Sequence, residues 1–357
     1  MSVDIGSSPE GGAQGLATGS TIGRYVILSL VGRGAMGDVY AAHDPVLNRK
    51  VAIKLLRLQA EGSCREERSR LLLMREAQSI ARLSHPNVVV IHDVGAAGDQ
   101  VFIAMEFVDG HTLSYWILAQ QPQWREVLKV FAAAGAGLAA AHQSGLVHRD
   151  FKPDNVMIRP DGEVRVMDFG LARLVAKETG SRTGVGAAPT SPPSGAPEDL
   201  QNTRVIGMPW PMAPGATDSK GTGNGAVDGS LLHDSGAVAG TPAYMSPEQF
   251  HGGEPDARGD QFSFCVCLYE ALYGEGPFRG NTLQQRAVEV SAGNVIDAPM
   301  NTRAPGWIRK VLLRGLRAKP EERWSSMKEL LSRLDENARR LAEIDEWLAE
   351  RGARQVD

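Results

Sequence analysis

Between Arg24 and Val108 the apolar positions fall in short β-branched runs, "RYVILSLVGRG", "GDVYAAHD", "KVAIKLLR", "NVVVIHDVG" and "QVFIAMEFV", separated by Gly, Asn or Asp. Runs of that length and spacing predict strands joined by tight turns. One segment breaks the pattern. "REERSRLLLMREAQSIARL" places Leu72, Leu73, Glu76, Ile80 and Leu83 near one face at helical spacing, so a single helix is expected among the strands. After Gly110 the period becomes helical, with segments near 112–119, 124–143, 258–274, 281–291, 305–317 and 325–350. The expected fold class is α+β: a small β-rich lobe with one key helix, then a larger, mainly α-helical lobe.

Two stretches carry no period. Residues 1–23, rich in Gly and Ser, are expected to be disordered. So is an insertion at about 177–236, where Gly, Pro, Ser and Thr dominate; that length is unusual for a loop in a compact domain. Inside it "RVIGMPWPM", residues 204–212, is an apolar patch around Trp210 that is either part of a neutral spacer or a docking segment for the lobes or for a partner. The charged tail, residues 335–357, continues a stripe of Leu334, Ala338, Leu341, Ile344 and Leu348. Packing on the helical lobe is expected of it; a dimerising coil is the alternative, with a register of only about two heptads.

Composition narrows the classes. Of 357 residues 42% are hydrophobic and 22% charged, enough apolar material for a substantial core. A formal charge of -4 provides no basic field for nucleic acid or an anionic membrane. Cys64, Cys265 and Cys267 make an odd set that suits a reducing compartment. Cys265 and Cys267 sit in the apolar run "QFSFCVCLYEALY" and read as core thiols, since no further Cys/His pair completes a metal site. The N-terminus has neither the basic nor the apolar region of a signal peptide, and "VFAAAGAGLAAAH" is too short to span a bilayer. A cytoplasmic protein without a membrane span is expected.

The charged positions carry the chemistry. "LVGRGAMGDVY" has glycines at 32, 34 and 37, where backbone N–H groups could approach phosphate with no Cβ in the way. A plain glycine-rich hairpin remains the alternative; a dinucleotide fold is disfavoured because strand, not helix, follows. Lys54 lies in a β-branched strand, and Glu76 on the apolar stripe of the one helix. An unpaired carboxylate there would be expensive to bury, so a Lys54–Glu76 pair is expected. "GLVHRDFKPDNVMIR" then packs Asp150, Lys152, Asp154 and Asn155 between two apolar segments, and "RVMDFGLAR" follows with Asp168 after another short strand. Asn155 and Asp168 are oxygen ligands suited to Mg²⁺ carried on a nucleotide. Asp150 is left to accept a hydroxyl proton, and Lys152 to neutralise a transferred phosphoryl group.

In their order along residues 24–334, these motifs resemble those of eukaryotic-like serine/threonine protein kinases of the kind found in bacteria. The resemblance implies a lobe at 24–105, a hinge at 106–110 and a second lobe at 111–334. It implies ATP with Mg²⁺, or Mn²⁺ as a substitute, and Ser/Thr side chains of proteins as acceptors. Gly32, Gly34 and Gly37 would cover the phosphates, and Lys54, paired with Glu76, would contact the α- and β-phosphates. Val39, Ala52 and Met157 would sandwich adenine. Met105 would be the gatekeeper, with backbone groups of Glu106 and Val108 at the hinge. Asp150 would be the base, with Lys152 beside it, and Asn155 and Asp168 the metal ligands. "GTPAYMSPEQ" would be the substrate platform, with Thr241 marking Ser/Thr acceptors, Glu248 paired to Arg323, and Asp260 anchoring the catalytic loop. Arg149 before Asp150 implies switching by activation-segment phosphorylation. Phe151 and Ser246 depart mildly from the pattern and the insertion departs greatly. An ATP-binding pseudokinase scaffold is the alternative, but none of the charged positions is lost; a small-molecule phosphotransferase would not be expected to carry the platform.

Overall fold

The computed structural model describes residues 15–34, 37–56, 63–98, 100–169 and 242–353. Residues 1–14, the insertion with its 204–212 patch, and Thr241 lie outside them. The described residues fall into two compact units, one within 15–81 and 90–107, the other within 82–89 and 108–353.

The first unit is a six-stranded sheet. Strands β1 (Thr21–Ile22), β2 (Tyr25–Gly34), β3 (Gly37–Asp44), β4 (Arg49–Leu56), β5 (Ile91–Ala97) and β6 (Gln100–Glu106) run in the order β1-β2-β3-β4-β6-β5, every neighbouring pair antiparallel. The β3–β4 turn closes because Asp44 Oδ1 accepts the N–H groups of Val46 and Leu47 at 3.1 and 3.3 Å. Alternation sends Tyr25, Tyr40, Val51, Ile53, Phe102 and Ala104 to one face, where they form the core. Tyr25 and Phe102 meet edge to face there, ring centroids 5.9 Å apart.

Helix α1 (Ser63–Ala81) is the expected single helix, but its buried stripe is Leu73, Ala77 and Ile80. Leu72, expected on that stripe, is 44% exposed, and Glu76 is half-buried at its margin. The reason is angular: the i, i+4, i+7 positions superpose, whereas an adjacent residue lies about 100° round the helix.

The second unit opens with β7 (His111–Thr112), α2 (Leu113–Gln120) and α3 (Trp124–Gln143). A 3₁₀ turn (Pro153–Asn155), β8 (Val156–Ile158) and β9 (Val164–Val166) follow, β7-β8-β9 making a small antiparallel sheet. Beyond residue 241 come a 3₁₀ turn (Pro242–Tyr244), α4 (Pro247–Phe250), α5 (Ala257–Tyr273), α6 (Leu283–Ala292), α7 (Gly306–Gly315), a 3₁₀ turn (Pro320–Glu322) and α8 (Met327–Ala353). Helix α5 is buried nearly all round, as a helix without an amphipathic stripe must be. It starts at Asp256, whose side chain accepts the Arg258 N–H at 2.8 Å. Cys265 and Cys267 lie within it as free, fully buried thiols, and burial pushes both up from the ordinary thiol range.

The segment 82–89 belongs to this unit although strands and α1 of the other flank it in sequence. Val88 bridges Val166, and Gly137 of α3 lets the chain pass: a Cβ there would sit 2.6 Å from Asn87 O. Helix α8 runs unbroken through residue 334 and packs on α3, with Leu334 buried and Ala338 and Leu341 half-buried. Among the described residues no helix is long and apolar enough to cross a membrane.

Candidate active site

In the sheet unit, pairing register puts Val39 opposite Lys54, Ala41 opposite Ala52, and Met105 opposite Ala52. Directly opposed residues share a face, so Val39, Ala52, Lys54 and Met105 line the side of the sheet away from its aromatic core. Lys54 is only 4% exposed. Glu106, at the end of β6, donates its N–H to Val90 O at 2.8 Å. The three glycines of the β2–β3 hairpin divide by role. Gly37 has φ +148°, and a Cβ on it would lie 2.0 Å from Leu55 O, so the fold itself demands glycine. Among the described residues, a Cβ on Gly32 would meet nothing within 4 Å, and one on Gly34 only Gly37 O at 3.6 Å. Their bareness leaves room for something arriving from outside the chain.

In the helical unit the loop before β8 hangs on one buried carboxylate. Asp260, in the first turn of α5 and 1% exposed, accepts the backbone N–H of His148 on Oδ2 and of Arg149 on Oδ1, both at 2.7 Å. His142 Nε2 donates to the same Oδ2 at 2.7 Å. Buried acceptors this well satisfied make the carboxylate a fixed anchor. His148 carries the anchor onward: its Nε2 donates to Met167 O at 2.8 Å, and its Nδ1 lies 3.4 Å from the Asp150 N–H. Neither histidine was singled out from the sequence. The only hint was the position of His148 within "HRD", since Asp260, which both residues meet, lies more than a hundred positions away.

On that anchor the loop holds its charges close together. Lys152 Nζ lies 2.9 Å from Asp150 Oδ2, the two side chains 19% and 9% exposed. Asn155 Nδ2 donates to Asp150 O at 2.8 Å, which leaves its carbonyl oxygen as the acceptor end. Met167 donates its N–H to Asn155 O at 2.8 Å, so the residue before Asp168 is tied at both its N–H and its C=O. Arg149 and Asp168 adopt φ +65° and +61°, a left-handed conformation that non-glycine residues hold only where the surroundings over-determine it. One amide oxygen and one carboxylate suit Mg²⁺, which keeps most of its waters and takes few protein ligands. Among the described residues no group of three or more His, Cys, Asp or Glu could hold a metal by itself. Met157 lies on β8, and Val108, buried, precedes β7.

Glu248 on α4 meets Arg323 in a two-pronged pair of 2.9 and 2.8 Å. The rest of the guanidinium is spent on the carbonyls of Arg317, Arg258 and Ala318, at 2.8, 2.8 and 3.0 Å. All five N–H donors are used. Burial pushes the Glu248 carboxyl upward, but the Arg323 hydrogen bonds and charge outweigh it and hold the group below the ordinary range.

A family model described as protein kinase domain matches residues 25–215, and one described as protein tyrosine and serine/threonine kinase matches 229–334. The serine/threonine-protein kinase PknB of Mycobacterium tuberculosis is 32% identical over 317 residues, covering 86% of this chain and 42% of that protein. The serine/threonine-protein kinase PrkC of Bacillus subtilis is 29% identical over 310 residues, covering 86% and 39%. The chain therefore spans about two fifths of the length of these relatives. In fold, it is similar to the crystal structure of the Mycobacterium tuberculosis PknI kinase domain, with a TM-score of 0.57 at 23% identity, covering 90% of this chain and 99% of that one. With the anchored loop, the Asp150–Lys152 pair and the Glu248–Arg323 lock in place, the chain belongs to the protein kinase family, among the eukaryotic-like serine/threonine kinases of bacteria.

Proposed function

We propose that the chain is an ATP-dependent kinase that transfers the γ-phosphoryl group to Ser or Thr hydroxyls of proteins, including hydroxyls of its own activation segment. The observation that carries this reading is the state of Asp150. Lys152 holds its Oδ2 at 2.9 Å, while Oδ1 accepts no hydrogen bond from the described residues. That oxygen is suited to orient an acceptor hydroxyl and take its proton as the hydroxyl oxygen bonds to phosphorus and the bond to the leaving diphosphate breaks. Lys152, beside Asp150, would offset charge on the phosphoryl group.

In this reading Gly32, Gly34 and Gly37 lie over the phosphates, and Lys54 contacts them while paired with Glu76. Val39, Ala52 and Met157 sandwich the adenine, and Glu106 and Val108 offer it backbone groups. Asn155 and Asp168 would hold Mg²⁺, or Mn²⁺ in its place, and the ion would supply charge neutralisation to the phosphates. Lys152 and Thr241 favour Ser/Thr over Tyr acceptors, and residues 204–212 offer a docking segment. The unpaired thiols of Cys265 and Cys267 suit a cytoplasmic setting.

Mass spectrometry of the wild type and Asp150→Asn after incubation with Mg-ATP tests the reading. Phosphate on residues 179–241 of the wild type alone is expected. No phosphate in either, with ATP still bound, would overturn it.

A further inference from the structure

Gln249, on α4, ends the "GTPAYMSPEQ" stretch, where the resemblance gives it no role of its own, yet it spans the gap between the substrate platform and the catalytic loop. Its Oε1 accepts the N–H and the Oγ–H of Ser246 at 2.9 and 3.0 Å, which closes the N-terminus of α4 as a capping box. Its Nε2 donates to Arg149 O at 3.0 Å, a hundred positions away in sequence. The amide cannot be turned over, because Nε2 would then face the Ser246 N–H. A capping box needs only the acceptor, and Glu supplies one as well as Gln. What Gln adds over Glu at this position is the donor aimed at Arg149.

Arg149 is the residue whose backbone most needs holding. Its φ of +65° puts it in a left-handed region that a non-glycine residue holds only where its surroundings fix it. Asp260 on α5 holds its N–H at 2.7 Å; Gln249 on α4 holds its C=O. Arg149 is thus clamped on both sides from two elements, and α4 is itself locked by Glu248 and Arg323.

We infer that Gln249 is a positioning residue: its Nε2–H fixes the Arg149–Asp150 peptide, and so makes the aim of the Asp150 carboxylate depend on the placement of segment 242–250. This rests on the kinase reading above. Two variants of the full chain separate the arms of the amide. Gln249→Glu keeps the cap and loses the donor; Gln249→Met, close in volume, loses both. Turnover is measured with Mg-ATP and dephosphorylated casein, alongside thermal melting and amide hydrogen exchange over residues 145–158.

Both variants should lower kcat about 10- to 100-fold, the scale of a misplaced catalytic group. The KM for ATP should stay within about twofold, and the melting midpoint of Gln249→Glu within about 2 °C of wild type. Exchange at Asp150 should accelerate in both. Slowing in Gln249→Met but not in Gln249→Glu would show that only the cap matters, and would overturn the inference. Loss of kcat matched by a fall in melting temperature, or unchanged exchange at Asp150, would overturn it too. If neither the wild type nor Asp150→Asn transfers phosphate while Gln249→Glu still speeds exchange, the kinase reading fails and the clamp stands.

Discussion

Two oppositely charged pairs in the helical unit use their charge in opposite ways. Arg323 and Glu248 form a closed pair: the guanidinium side chain is fully buried and every donor is spent on Glu248 or on a backbone carbonyl. Asp150 and Lys152 form an open one: both side chains keep some exposure, and Asp150 Oδ1 accepts nothing from the described residues. A charge whose valences are all satisfied inside the protein can only hold structure. A charge with one oxygen left over can do chemistry, and the fold keeps it still through the backbone around it, by way of Asp260 and His148.

The contrast predicts which readout each substitution moves. Asp150→Asn should lower phosphoryl transfer by roughly 10²–10⁴-fold, the range for a positioned proton acceptor, with unfolding in urea unchanged. Transfer near the wild-type rate would make the open oxygen irrelevant. Arg323→Ala should do the reverse first, lowering stability by about 3–5 kcal/mol in a urea titration, because Glu248 is left with no partner for its charge. A loss below about 1 kcal/mol would place that pair with ordinary surface pairs.

The hairpin glycines sharpen the same distinction. Gly37→Ala forces a Cβ against Leu55 O and should cost stability by at least about 1–3 kcal/mol by thermal melting. Gly32→Ala meets none of the described residues, so stability should hold within about 0.5 kcal/mol while nucleotide affinity, followed with a fluorescent ATP analogue, falls. Equal effects at both positions would dissolve the division of roles.

The smallest effect is in pH. Glu248 titrates below its ordinary value of 4.5 in the folded chain, so its contribution is complete above that value and drains away as pH falls through the depressed pKa. Urea midpoints measured from pH 6 downward should fall more steeply in the wild type than in Glu248→Gln, about in proportion to this one carboxylate. Parallel curves would remove the linkage.

How much was legible in the sequence depended on distance along the chain. Asp150, Lys152 and Asn155 lie within six positions, so a single turn brings them together and their spacing announces it. Strand alternation likewise put Lys54 in a strand, and the opposed Val39 and Ala52 follow from register alone. The stripe on α1 was legible only approximately: the helical period was plain, but Leu72 and Leu73 both look apolar, and only packing decides which is covered. Segment 82–89 gave no local sign that it joins the helical unit, since that depends on Gly137 and Val166 far along the chain.

What the sequence determined by itself was the class of elements, the family, and the identity of the charged groups, because each is written in residues that are near neighbours. What the tertiary structure decided was how those groups are held: Asp260 beneath His148 and Arg149, Gln249 above Arg149, Arg323 around Glu248. Such holds join residues from 75 to 112 positions apart, and a hydrogen bond across that separation leaves no periodic trace in either partner's surroundings. It exists only once folding has offset the entropy of bringing the two segments together.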